Sequence, residues 1–178
     1  MRILVAITGA SGLEYGRRLV FALRKISGAE TSVVISKGAE KVAKAERTIL
    51  PKADYHEDDF SCPFASGSNP PDAMVVVPCS LKTLGEISNG VGDTLITRAA
   101  EVALKERKKL VLVLRETPYS LITIKNMERV TLAGAVVLPA SPGFYGRPKS
   151  VDDLIDFIVA RVLDQVGLKH DLGKRWKA

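Results

Sequence analysis

The sequence is poor in the residues that build metal and redox centres. Its 178 residues include two cysteines (Cys62, Cys79), two histidines (His56, His170) and one tryptophan. Neither Cys-x-x-Cys nor His-Glu-x-x-His spacing occurs, which argues against a structural or catalytic zinc site. A His-dependent triad is also poorly supported, since His56 lies in an acidic loop segment and His170 in a polar tail. Cys79 follows an apolar run and reads as a small buried filler. No stretch approaches the ~18 consecutive apolar residues of a membrane span. The first apolar run, Ile3 to Ile7, stops at Thr8-Gly9. That is the length of a strand rather than of a secretory core, so the chain reads as soluble and cytoplasmic. Internal repeats and low-complexity tracts are missing as well.

What is present suits one compact domain over residues 1–178, with 46% hydrophobic content to fill its core. The net charge is +6. A solvated basic surface accounts for it, and an anionic ligand such as a phosphate ester is the functional alternative. The basic residues are scattered rather than interleaved with aromatics, so nucleic acid is the weakest choice of partner.

Strands and helices alternate along the chain. Strands are expected at Arg2–Thr8, Thr31–Ser36, Ala73–Pro78, Leu110–Leu114 and Gly134–Leu138. Their continuous Val/Ile/Leu runs are those of strands buried on both faces. Helical spacing marks Leu13–Ile26, Lys37–Ala45, Ser80–Asn89, Asp93–Arg107 (with Asp93 as N-cap), Ile122–Leu132 and Val151–Val166 (capped by Ser150). The irregular Tyr55–Pro71 segment, rich in Pro and Ser, reads as a functional loop. The pattern implies an α/β, three-layer Rossmann-like fold with a mostly parallel sheet flanked by helices.

In such sheets ligands bind beyond the carboxyl ends of the strands. Five strand exits here carry the most distinctive polar residues: Thr8-Gly9-Ala10-Ser11-Gly12, Ser36-Lys37, Pro78-Cys79-Ser80, Arg115-Glu116-Thr117-Pro118 and Pro142-Gly143-Phe144-Tyr145. Gly9 and Gly12 flank Ser11 at a strand-to-helix turn, where the backbone approaches a ligand closely and the helix start offers N–H groups to a phosphate. A tight turn without a ligand is the bland alternative. A short-chain dehydrogenase fingerprint fails, because Leu13 and Tyr15 stand where glycines are required. Tyr145-x-x-x-Lys149 is accidental, since Gly146 and Pro148 interrupt it. No Gly-Lys-Ser/Thr follows, which excludes a P-loop. Ser80, Lys82 and Thr83 read equally as a helix cap or as a second phosphate contact. Arg98 and Lys105 share a helix face, with Glu101 placed to pair with Lys105 at i,i+4. Arg115-Glu116 leaves a buried strand as a charge pair in need of partners. Arg161 sits near an apolar helix face, either snorkelling or facing an anion.

Taken together and in order, these residues resemble the UbiX/Pad-type flavin prenyltransferases over nearly the whole chain. The matching stretches are Thr-Gly-Ala-Ser-Gly at 8–12, Ala-Ser-Gly-Ser at 65–68, Pro-Cys-Ser at 78–80, Arg-Ala-Ala-Glu-Val-Ala-Leu-Lys-Glu-Arg at 98–107 and Arg-Glu-Thr-Pro at 115–118. Asn-Met at 126–127, Pro-Gly-Phe-Tyr at 142–145, Asp-Asp-Leu-Ile-Asp-Phe-Ile-Val-Ala-Arg at 152–161 and Arg-Trp at 175–176 complete the set. The resemblance implies a metal-independent transfer of a dimethylallyl group from dimethylallyl phosphate to N5 and C6 of reduced FMN. It also implies a homododecamer whose prenylated FMN passes to a UbiD-type decarboxylase. By matching motif, Gly9, Ala10, Ser11, Ser36, Ser80, Leu81, Lys82, Thr83 and Arg115 hold FMN. Lys105, Tyr145 and Arg161 grip the isoprenyl phosphate, and Glu116 and Arg98 line the site from neighbouring subunits. Glu46 handles protons with Ser11, and Phe60 walls the prenyl pocket. Two other readings stand beside this one. A flavin-dependent cysteine decarboxylase needs a catalytic His and a Pro-x-Met-Asn-x-x-Met-Trp run that are not evident here. A non-catalytic flavin-binding subunit would not need the phosphate-gripping set.

Overall fold

The structure is a computed structural model that describes residues 1–173, 175 and 176. Six strands form one sheet in the order β3-β2-β1-β4-β5-β6, every neighbouring pair parallel. They are β1 (Arg2–Ile7), β2 (Glu30–Ile35), β3 (Tyr55–His56), β4 (Ala73–Cys79), β5 (Lys109–Leu114) and β6 (Val136–Pro139). Among the described residues the six α-helices are α1 (Leu13–Leu23), α2 (Lys37–Glu46), α3 (Leu81–Ser88), α4 (Leu95–Lys105), α5 (Leu121–Leu132) and α6 (Val151–Val166). The sheet expected as mostly parallel is therefore wholly parallel, and it has gained an edge strand, β3. A two-residue strand inside an irregular segment carries no period to read. The same segment holds a one-turn 3-10 helix at Pro63–Ala65.

Helices cover both faces, which is why the central strands are apolar at every position. Ile3, Val5 and Ile7 of β1 pack on one side with α1, α2 and α6, while Leu4 and Ala6 pack on the other with α3, α4 and α5. Along β1, residues 3–7 have no exposed surface at all. On the first face, α1 lies so close to the sheet that a Cβ on Gly16 would sit 2.5 Å from the Val77 carbonyl oxygen. The two faces have a consequence for the site: α4 and α6 lie on opposite sides of the sheet.

Five of the six described helices start at a hydroxyl cap, and α1 starts at Gly12 without one. Ser36, Ser80, Ser120 and Ser150 each accept the backbone N–H three residues on. Helix α4 corrects the sequence reading, because Thr94 rather than Asp93 is its cap. Thr94 and Thr97 form a reciprocal capping box, with Thr97 N–H donating to Thr94 Oγ1 at 3.2 Å and Thr94 N–H to Thr97 Oγ1 at 3.1 Å. Helix α1 ends at Leu23, short of the expected Ile26.

Candidate active site

The strand order reverses direction between β1 and β4, and at this switch point the two strand exits separate to leave a crevice. A register shift between Val76 and Cys79 takes Pro78 out of the regular ladder. Its freed carbonyl accepts the Thr8 hydroxyl at 2.8 Å and the Thr8 N–H at 3.2 Å, while Ser80 N–H donates to Thr8 Oγ1 at 2.8 Å. Thr8, which is 1% exposed, thus clamps the two exits together. No local pattern marks this role, because it depends on a partner 70 residues away.

On one side of the clamp is a cleft of about 480 Å³ lined by Gly9, Ser36, Gly38, Ser80, Leu81, Lys82 and Thr83, together with Lys37, Lys41, Glu57, Glu86, Thr94 and Ile96. Six of the nine residues expected to hold FMN meet here. Gly9 is required by close approach: a Cβ at this position would sit 2.9 Å from the Gly38 carbonyl carbon. The starts of α2 and α3 both open onto the cleft, joined by three lysines. The Ser36 and Ser80 hydroxyls cap those helices, accepting Ala39 N–H at 3.0 Å and Thr83 N–H at 3.2 Å. Free N–H groups of the two first turns and the positive helix ends therefore face the cavity. Lys82 and Glu86 pair at 2.6 Å, with Lys82 largely in solvent. The donor set suits a phosphorylated ligand.

The start of α1, expected to bind phosphate, is already occupied. Glu46, the last residue of α2, accepts Gly12 N–H at 2.9 Å and Leu13 N–H at 3.4 Å. It also takes the Ser11 hydroxyl. Desolvation would raise its carboxyl, but the hydrogen bonds from Ser11, Gly12 and Leu13, with the nearby Arg115 charge, outweigh it and hold Glu46 below the usual carboxylate range. A phosphate at this terminus would have to displace a bound carboxylate. Arg115 Nε donates to the Ser11 carbonyl at 3.1 Å. Ala10, Ser11, Glu46 and Arg115 therefore form one constellation on the α1 side of the crevice. Glu116 turns its carboxylate back onto Thr117 N–H at 3.0 Å. Tyr15 stands half-buried beside Gly12, its hydroxyl pushed up by burial and partly offset by Arg115.

The residues expected to grip the isoprenyl phosphate divide between two places. Tyr145 and Arg161 line a second cavity of about 240 Å³ with Phe157, Asp164, His170, Arg175 and Trp176. Tyr145 meets Phe157 and Trp176 edge-on, with ring centroids 5.8 and 5.3 Å away. Arg161 Nη1 pairs with Asp164 at 2.7 Å. Lys105 lies on α4, across the sheet, paired with Glu106. Arg98 is also on α4, donating to the Ala65 carbonyl at 3.0 Å and to Glu101 at 2.9 Å. Glu101 thus pairs with Arg98 rather than with Lys105, because an i,i+3 contact and the Ala65 carbonyl bring the guanidinium over it. A Cβ on Gly67 would run into the Lys105 ammonium, so the Ala65–Ser68 loop is shaped around both cations. Within one chain Lys105 and Arg98 do not join Tyr145 and Arg161. Phe60 is half-exposed. Asp164, Arg175 and the His170 ring, which is 4% exposed, were missed as neighbours of Arg161. The polar tail gave no periodicity from which to read its fold back onto α6. Among the described residues there is no cluster of three or more potential metal ligands, and no helix is long and apolar enough to cross a membrane.

A Rossmann-like sheet whose switch-point cleft gathers helix N-termini and lysines defines an α/β protein built for a phosphorylated ligand, and residues 1–163 match the Flavoprotein family. A flavin prenyltransferase UbiX of Thermoplasma acidophilum is 50% identical over 99% of this chain and 100% of its own. Among solved structures, AnUbiX (PadA1) in complex with FMN and dimethylallyl pyrophosphate superposes with a TM-score of 0.94 at 47% identity, covering 99% of this chain and 97% of that one. A dodecameric FMN-dependent UbiX-like decarboxylase from Escherichia coli O157:H7 gives 0.93 at 40% identity, with both chains fully covered. The chain belongs to the UbiX family of flavin prenyltransferases.

Proposed function

We propose that this flavin prenyltransferase takes the dimethylallyl group of dimethylallyl phosphate and joins it to N5 and C6 of reduced FMN, without a metal. The observation that carries this reading is the pairing of two distinct anion-ready places. One is the cleft at the starts of α2 and α3, and the other is the Tyr145–Arg161 cavity. Bound FMN supplies the electron-rich ring atoms that accept the allyl carbons. The residues of the chain do the rest. Gly9, Ser36 and the Ser80–Thr83 turn hold the FMN phosphate, and Ala10, Ser11 and Arg115 border the ring. Tyr145 and Arg161 bind the donor phosphate. They stabilise the charge that grows on its bridging oxygen as the carbon–oxygen bond breaks and phosphate leaves. Glu46, held as a carboxylate, accepts through the Ser11 hydroxyl the protons released at the ring.

Lys105, Arg98 and Glu116 complete this site from neighbouring subunits. The sheet that separates α4 from α6 in one chain supports this reading. So do large apolar side chains left in the open, including Ile49, Leu121, Ile122 and Leu132, all at least 70% exposed. Twelve copies assemble, each closing the next one's site, and the prenylated FMN passes to a UbiD-type decarboxylase. The decisive experiment incubates the purified protein anaerobically with reduced FMN and dimethylallyl phosphate and weighs the extracted flavin. A flavin of unchanged mass refutes the proposal. Tyr145→Phe and Arg161→Ala should slow transfer while FMN still binds, and loss of FMN binding in both would refute the division of roles.

A further inference from the structure

Asp164 has the geometry of a hub. Its Oδ2 accepts Arg161 Nη1 at 2.7 Å. Its Oδ1 accepts Arg175 Nη2 at 2.9 Å and faces His170 Nε2 at 3.2 Å. The other ring nitrogen, His170 Nδ1, accepts Leu172 N–H at 3.2 Å. This hydrogen-bond network assigns the ring proton to Nε2, pointing at Asp164. The ring itself is buried. One carboxylate thus uses one oxygen on α6 and the other on the tail that follows it. That tail is the segment that lays Trp176 edge-on against Tyr145.

We infer that Asp164 is a positioning residue for the donor phosphate: it aims the Arg161 guanidinium and, through Arg175 and His170, docks the tail that carries Trp176 onto Tyr145. The role rests on the proposed assignment of Tyr145 and Arg161 to the donor. Arg161 is half-exposed and its own helix gives it no other acceptor among the described contacts. Without Asp164 the guanidinium samples solvent, and the phosphate must order it on binding. The same loss frees Arg175, so the aromatic wall and the cation loosen together. Burial would raise the Asp164 carboxyl, but hydrogen bonds from Arg175 and His170 outweigh it and hold the group below the usual carboxylate range. The hub is therefore charged at neutral pH.

Trp176 is the only tryptophan of the chain, so its emission reports tail docking directly. The test uses full-length protein loaded with FMN. Dimethylallyl phosphate binding is measured by calorimetry with the flavin oxidised, and KM and kcat with it reduced. In Asp164→Asn, Kd and KM for the donor should rise about tenfold, equivalent to ~1.4 kcal/mol. The kcat should stay within about threefold and FMN affinity within about twofold, while the emission of Trp176, which is 72% exposed even when docked, loses anisotropy as the tail comes free. Asp164→Glu, which keeps the charge, should recover most of the donor affinity. Arg175→Ala, on the exposed tail, should give the same pattern at about threefold and serves if Asp164→Asn fails to fold. Unchanged donor affinity in these variants overturns the inference. So does weakened affinity without a change in Trp176 anisotropy, which would uncouple tail from guanidinium. Absence of donor binding by the unsubstituted protein would instead refute the proposed function, and this role with it.

Discussion

Replacing Gly9 with alanine tests whether the FMN cleft depends on two loops touching backbone to backbone. The added Cβ would lie 2.9 Å from the Gly38 carbonyl carbon and 3.0 Å from its Cα, where ordinary contact begins at 3.4 Å. The loops after β1 and β2 must therefore part by about 0.5 Å, the difference between those distances. No side chain is present on either partner to rotate away. Overpacking of this kind costs ~1–3 kcal/mol. If the strain is relieved by moving the loops that form the cleft, FMN binds ~5- to 150-fold more weakly. Fluorescence titration of FMN into flavin-free protein measures this, and calorimetric melting reports the strain left in the fold. Gly85→Ala is the control. Gly85 sits inside α3 with its nearest foreign atom, Asn126 Nδ2, at 3.7 Å, so alanine fits and should stabilise by ~0.5–1 kcal/mol through helix propensity. FMN affinity equal to that of the unsubstituted protein in Gly9→Ala, with an unchanged melting temperature, would refute the close-approach argument.

Glu46→Gln keeps the shape but sets an amide N–H₂ where a carboxylate accepted donors; it should lose ~1–2 kcal/mol of stability and slow prenyl transfer by ~100-fold or more. Turnover within tenfold of the unsubstituted enzyme would remove Glu46 from proton handling. Gly16→Ala forces a methyl against the Val77 carbonyl, 2.5 Å from the built position, and should lower the melting temperature by ~2–12 °C, from ~1–3 kcal/mol at ~2–4 °C per kcal/mol; differential scanning calorimetry decides it. Acid should loosen the same regions. Glu46 and Asp164 both have depressed folded-state values, so their stabilisation is present above the ordinary carboxylate range and is lost as pH falls through the folded values. Melting temperature should therefore fall progressively as pH drops below about 5, and Glu46→Gln and Asp164→Asn should each flatten that slope.

The sequence by itself determined the alternation of strands and helices, the parallel sheet and the edge on which the site lies. Those follow from local signals: apolar runs with no polar face, hydroxyl caps, and glycines at strand exits. Its ordered motifs also carried the family. Where a role depends on a distant partner, local pattern was silent or misleading. The start of α1 offers two N–H groups in any reading of Gly9-Ala10-Ser11-Gly12, yet only the folded chain shows Glu46 bound there, 34 positions from Gly12. Thr8 reads as the last residue of a strand until the Pro78 bulge presents its carbonyl. The tail reads as polar and shapeless until Asp164 gathers Arg161, His170 and Arg175. Lys105 and Tyr145 sit in motifs of equal standing, and only the sheet between their helices shows that one chain does not bring them together. Short-range periodicity records which face of an element is buried; which charges and backbone groups meet across the core is a property of packing, and that was decided in three dimensions.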